Sequence, residues 1–208
     1  MIYNDEFVWL HFPKCAGSTI ESLFRKYLSG VPGLVQDVVD PDGDVPSVWH
    51  DSVADREARD AAFVLGGRTV ICSIRRLPAW LVSRYNFEYA RSPQLPHDPE
   101  SLLEGYFLGR RGKRNHADNL IHKFLPPQLL DTGRVKFLRA EFFEHDFRRL
   151  FGTYLDLSEI PGEEYARRTN ASPNHLPAEM VRRLFASPEV YAKCPAWRAV
   201  EELAYGSS

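Results

Sequence analysis

Short apolar runs alternate with amphipathic stretches along this chain, and the alternation predicts its elements. Phe7-Val8-Trp9-Leu10-His11-Phe12 is apolar but for one histidine and stops at Pro13, as a buried strand does. Ile20, Leu23, Phe24 and Tyr27 recur at helical spacing, predicting a helix from Ile20 to Leu28 capped by Ser18 or Thr19. Six glycines and prolines between 30 and 46 predict a loop, and Ser52 caps a helix from Val53 to Phe63. Thr69–Ile74 is apolar nearly throughout, the pattern of a central strand covered on both faces. A helix follows from Pro78 to Tyr89. Residues 91–99 form a proline-broken loop, and helical stretches near 99–108 and 117–125 flank Arg110, Arg111, Lys113 and Arg114. Val135–Arg139 reads as a strand, Phe142–Phe151 as a helix, and segments near 176–186 and 188–204 as helices. Strand, loop and helix in this order predict an α/β fold with a central, mostly parallel sheet flanked by helices.

Composition narrows the classes. The 208 residues suit a single domain, 1–208, with a core that needs no disulfide or metal to hold it. Hydrophobic residues at 44% and charged residues at 26% exclude a disordered chain. A net charge of -2 argues against general nucleic-acid binding. No stretch approaches the ~20 apolar residues of a membrane span. Asp5 and Glu6 replace the basic start of a signal peptide, so the expectation is a cytoplasmic protein. Cys15, Cys72 and Cys194 are odd in number and lack CxxC spacing, which supports neither a disulfide framework nor zinc. Only six of the 26 basic residues are lysines. Arginine suits bidentate anion recognition, although codon usage gives the same bias.

Two strand ends carry candidate chemistry. After the first comes Pro13-Lys14-Cys15-Ala16-Gly17-Ser18-Thr19, where small residues let the backbone approach a ligand. Successive N–H groups entering a helix form an anion nest, with the Ser18 and Thr19 hydroxyls and the Lys14 charge beside it. Lysine does not directly precede Ser/Thr, so this is not the G-x-x-x-x-G-K-[ST] loop of common nucleotide hydrolases. The second strand runs into Arg75, Arg76 and Pro78, and Ser83 lies eight residues after Arg75.

Together these elements resemble the sulfotransferases that use 3'-phosphoadenosine 5'-phosphosulfate (PAPS), in their carbohydrate-type and bacterial branch. The family's first loop is of the P-K-T-x-G-[ST]-[ST] type; here Cys15 replaces the usual threonine. Its later strand ends in Arg with Ser eight residues on; here Pro78 falls three residues after Arg75 rather than two, which leaves Arg75 and Arg76 as rivals. Phe137-Leu138-Arg139-Ala140-Glu141 with Asp146-Phe147, and Asn170-Ala171-Ser172, are similar to later family segments. The resemblance implies a P-loop-like three-layer fold. It implies that Lys14 and residues 15–19 hold the 5'-phosphosulfate and that Arg75 and Ser83 hold the 3'-phosphate. It implies no metal, and its product is 3',5'-adenosine bisphosphate.

Sulfuryl transfer to a hydroxyl also needs a base. His50, in Ser47-Val48-Trp49-His50, is the choice, because carbohydrate-type members carry a histidine in that interval; His11 is the rival. Asp51, Asp55 and Glu57 are candidates to orient His50. His116 and His122 read as structural, and Trp80 and Tyr85 as core. Residues 90–125 read as an acceptor-side helical insertion, for a carbohydrate or small-molecule hydroxyl. The alternative is a kinase or nucleotide-binding protein with a degenerate phosphate loop.

Overall fold

The computed structural model describes residues 1–37, 48–109, 112–167 and 173–206. The chain forms two compact units, Met1–Ile74 with Phe124–Thr169, and Arg75–Lys123 with Asn170–Ser208.

The first unit is an α/β sheet unit. Its strands are β1 (Ile2–Tyr3), β2 (Phe7–Leu10), β3 (Val35–Gln36), β4 (Thr69–Ile74) and, late in the chain, Val135–Arg139. The sheet order is β3-β1-β2-β4 followed by Val135–Arg139. β2 and Val135–Arg139 lie parallel to β4 on either side, with Leu10 opposite Cys72 and Ile74 opposite Arg139. β1 pairs antiparallel with both β2 and β3, so the sheet is mixed rather than mostly parallel. The antiparallel edge follows from a turn at Asn4, whose Oδ1 accepts the Glu6 and Phe7 N–H groups and folds β1 back on β2.

Helices α1 (Gly17–Leu23) and Phe143–Phe151 cover one sheet face. Ile20, Leu23 and Phe24 meet Phe147 and Phe151 over Phe7, Trp9, Ile71 and Leu138. α1 runs on into a π turn, Phe24–Leu28. It begins three residues before the predicted start, with Ala16 rather than Ser18 or Thr19 at the N-cap. α2 (Val53–Arg59) is capped by Ser52 and Asp55 in a reciprocal capping box. It ends before the predicted Phe63 because the Asp60 side chain takes the Ala62 N–H and turns the chain. Phe63 then packs edge-on against Tyr3, 5.0 Å away.

The second unit is mainly helical. α3 (Leu77–Arg91) buries Trp80 against Phe107 and Trp197, with ring centroids 5.2 and 4.5 Å away. The helix predicted near 99–108 is a 3-10 helix, Pro99–Glu104, that stops at Gly105 with φ +76. Tyr106–Leu108 (β5) then pairs antiparallel with Arg114–His116 (β6). α4 is Ala117–Phe124, and its final residue belongs to the first unit. In the first unit follow α5 (Pro127–Leu130), β7 (Val135–Arg139), α6 (Phe143–Phe151) and α7 (Gly162–Ala166). The second unit closes with α8 (Ala178–Ala186), α9 (Glu189–Lys193) and α10 (Pro195–Tyr205). Pro195 divides what the pattern reads as one helix, 188–204, because proline fits a first turn but not a helix interior. No helix among the described residues is long and apolar enough to cross a membrane.

Candidate functional site

The loop between β2 and α1 has an unusual backbone. Lys14 and Ala16 both adopt positive φ, 65° and 63°, the only such non-glycine residues described. Each costs on the order of 1–2 kcal/mol for an L-residue. Cys15 between them has negative φ, so the handedness alternates, as in the nests whose N–H groups converge on an anion. The Thr19 and Ile20 N–H groups both turn back to the Ala16 carbonyl, at 3.1 and 3.2 Å, and start α1. Lys14, Ser18 and Thr19 are half-buried, within reach of solvent, whereas the Cys15 side chain is buried. Any contribution of Cys15 to a ligand therefore comes from its main chain.

His11 packs behind this loop. A Cβ on Gly17 would fall 1.8 Å from His11 Nε2, so glycine is required for the imidazole to lie there. The ring stacks on Trp9 at 5.2 Å, and its Nδ1 meets Glu21 Oε1 at 2.8 Å. Gly17 and Glu21 are four apart on α1 and share one face. Glu21 is the residue that sequence reasoning missed. Its signal was a lone acid beside Ile20, within the apolar stripe of Ile20, Leu23 and Phe24.

His50, in a 3-10 turn (Val48–His50), lies beside His11 with ring centroids 4.5 Å apart. Its Nδ1 is 2.9 Å from the His11 carbonyl oxygen. A carbonyl only accepts, so Nδ1 carries the hydrogen, and neutral His50 has its lone pair on Nε2. The acceptor at Nδ1 is thus main chain. Of the candidate orienting acids, Asp51 takes Arg59 Nη2 at 3.0 Å, Asp55 closes the α2 capping box, and Glu57 accepts the Leu65 N–H. Burial pushes the Asp51 carboxyl up, with Arg59 and Arg56 opposing. Arg56 in turn pairs with Asp37, which fixes the start of α2 next to His50.

In the second unit, Arg75 is half-buried and its carbonyl accepts the Trp197 indole N–H at 3.2 Å. Arg76 is exposed, and its guanidinium meets Glu201 at 3.3 Å and the Tyr205 ring at 4.4 Å. Ser83 is half-buried in the second turn of α3. Trp80 and Tyr85 are core residues. Arg114, on β6, stacks over Tyr106 at 4.1 Å. Arg110, Arg111, Ser47 and Asn170-Ala171-Ser172 lie outside the described residues.

The Phe-Leu-Arg to Asp-Phe segment has a structural explanation. Asp146 accepts the Arg139 backbone N–H, Nε and Nη2 at 2.9, 2.7 and 2.8 Å, pinning the end of β7 to α6. Burial pushes the Asp146 carboxyl up, but the Arg139 hydrogen bonds outweigh it and hold its pKa at about 2.

A second cluster in the helical unit joins His116, Asp118 and Cys194. Each of the three side chains has a hydrogen-bond partner within the unit. The Asp118 N–H donates to His116 Nδ1 at 3.2 Å, so the hydrogen sits on Nε2, the atom that faces Cys194 Sγ at 3.9 Å. The Asp118 carboxylate accepts the Ala196 and Trp197 N–H groups at 3.1 and 2.9 Å and caps α10. Burial, with a smaller push from Asp118, raises the Cys194 thiol to about 12, so it is a neutral packing group. No protein-family model, curated protein or solved structure matches this chain.

Proposed function

We propose that the protein transfers a sulfuryl group from PAPS to a hydroxyl of a carbohydrate or small molecule. The observation that carries this reading is the alternating backbone of Lys14-Cys15-Ala16, with His50 hydrogen-bonded to the main chain just before it. Strained non-glycine residues concentrate where a ligand requires them. The position of the loop, between a parallel strand and a helix, supports a P-loop-like architecture for this unit.

In this reading the loop at residues 15–19 holds the 5'-phosphate oxygens, with Thr19 contributing through its hydroxyl because its N–H starts α1, and Lys14 neutralises charge on the bridging oxygen as it leaves. The acceptor oxygen attacks sulfur in line, the bond from sulfur to the bridging oxygen breaks, and the acceptor proton passes to His50 Nε2. The products are a sulfate ester and 3',5'-adenosine bisphosphate. Arg75 and Ser83 take the 3'-phosphate on the strength of the sequence resemblance. The Glu201 and Tyr205 contacts of Arg76 favour Arg75 over it.

Thermal-shift titration tests the reading. At a hundredfold excess over its dissociation constant, the bisphosphate stabilises by about 2.7 kcal/mol, a rise of about 5–10 °C. ATP should give less, and Lys14→Ala should lose most of the response. Equal stabilisation by ATP overturns the proposal in favour of an ordinary nucleotide site.

A further inference from the structure

That scheme leaves unused two enclosed polar side chains of the first unit, His11 at 5% exposure and Glu21 at 6%. A carboxylate so enclosed is costly unless a donor meets it. The donor is His11 Nδ1–H, 2.8 Å from Glu21 Oε1. With its hydrogen on Nδ1, neutral His11 has its lone pair on Nε2, which fills the space where a Gly17 side chain would stand. Trp9 supports the ring by stacking, so it is held on three sides. The carbonyl of this same residue receives His50 Nδ1–H, and the two rings touch. The carboxylate on α1 therefore fixes the residue that fixes His50.

We propose that Glu21 and His11 are a positioning pair that holds His50 in its Nδ1–H tautomer, so that Nε2 is the proton-accepting atom of the site. Neither residue touches the reacting atoms. Glu21 lies one turn into the helix that the anion loop begins, so the pair ties the loop and the base to one frame. The catalytic purpose of the pair rests on the sulfotransferase reading; its geometry does not.

The test is nitrogen NMR of protein labelled with 15N-histidine, because the shifts of Nδ1 and Nε2 distinguish the tautomers directly. In the wild type at pH 8 both His11 and His50 should be Nδ1–H; an Nε2–H form at either overturns the proposal without any variant. In Glu21→Leu, which removes the acceptor, His50 should lose its Nδ1–H preference. kcat should fall about ten- to a hundredfold, with KM for PAPS changed less than about threefold. Glu21→Gln should restore both, since its amide oxygen accepts the same hydrogen. His50 remaining fully Nδ1–H in Glu21→Leu overturns the pair. Tautomers that behave as expected in a wild type that transfers no sulfuryl group support the pair and overturn the enzyme reading.

Discussion

Replacing Gly17 with alanine adds one methyl group and should disturb the whole anion-loop region. The new Cβ would lie 1.8, 2.1 and 2.6 Å from three atoms of the His11 ring. The nearest must retreat by about 1.6 Å to reach the ordinary contact distance of 3.4 Å. The ring has no slack to give, with Glu21 on its Nδ1, Trp9 on its face and His50 at 4.5 Å. Forcing a methyl into a packed site costs about 1–3 kcal/mol. Breaking a buried hydrogen bond to a charged group costs about as much again. Alanine recovers up to about 1 kcal/mol over glycine in the helix. The net is about 3 kcal/mol. With a urea slope of about 2.5 kcal/mol per molar, the midpoint followed by circular dichroism should fall by about 1 M. The same methyl in a His11→Ala background has room, and there it should cost nothing or stabilise. The two changes should therefore couple by about 2 kcal/mol or more. A midpoint within about 0.2 M of wild type, or equal effects in both backgrounds, would refute the reasoning.

Two further outcomes concern stability. Asp146 has a pKa lowered to about 2 from 3.8 and a side chain without solvent exposure. Its stabilisation, about 2 kcal/mol, is fully present above pH 4 and lost as pH falls towards 2; Asp146→Asn should be about 2–3 kcal/mol less stable at pH 7 and lack this acid transition in pH-dependent urea melts. Asp118→Ala should cost about 1–2 kcal/mol by uncapping α10, with Asp118→Asn recovering most of it in the same assay.

The parts of the fold that were legible in the sequence are those encoded locally. Thr69–Ile74 is apolar nearly throughout and rich in β-branched residues, the pattern of an interior strand, and Ser52 announces its helix as an N-cap, although the Asp55 half of the capping box emerges only in the structure. Ile2–Tyr3 and Val35–Gln36 carry too few residues for a period; the first is held by the Asn4 turn onto β2, and the second by pairing with the first across more than 30 residues of chain. Tyr106–Leu108 read as helix although Gly105 is a local stop signal, because what makes them a strand is their pairing with Arg114–His116. At the candidate site, the loop could be singled out by its small and hydroxyl residues after a strand, and His50 only by the resemblance to the sulfotransferases. The left-handed Lys14 and Ala16 could not, because local preference assigns that conformation to glycine. Nor could Glu21, which an amphipathic pattern treats as an interruption until His11 supplies its partner.

The stacking around His11 has an optical consequence. Trp9 and Trp49 both lie roughly parallel to that imidazole, at 5.2 and 6.4 Å, while Trp80 and Trp197 pack on each other in the other unit. Excited indole donates an electron readily to a protonated imidazole and poorly to a neutral one. Trp49 lies equally near His50, at 6.3 Å, so the emission of the first unit reads the combined charge of the His11 and His50 rings beside the anion loop.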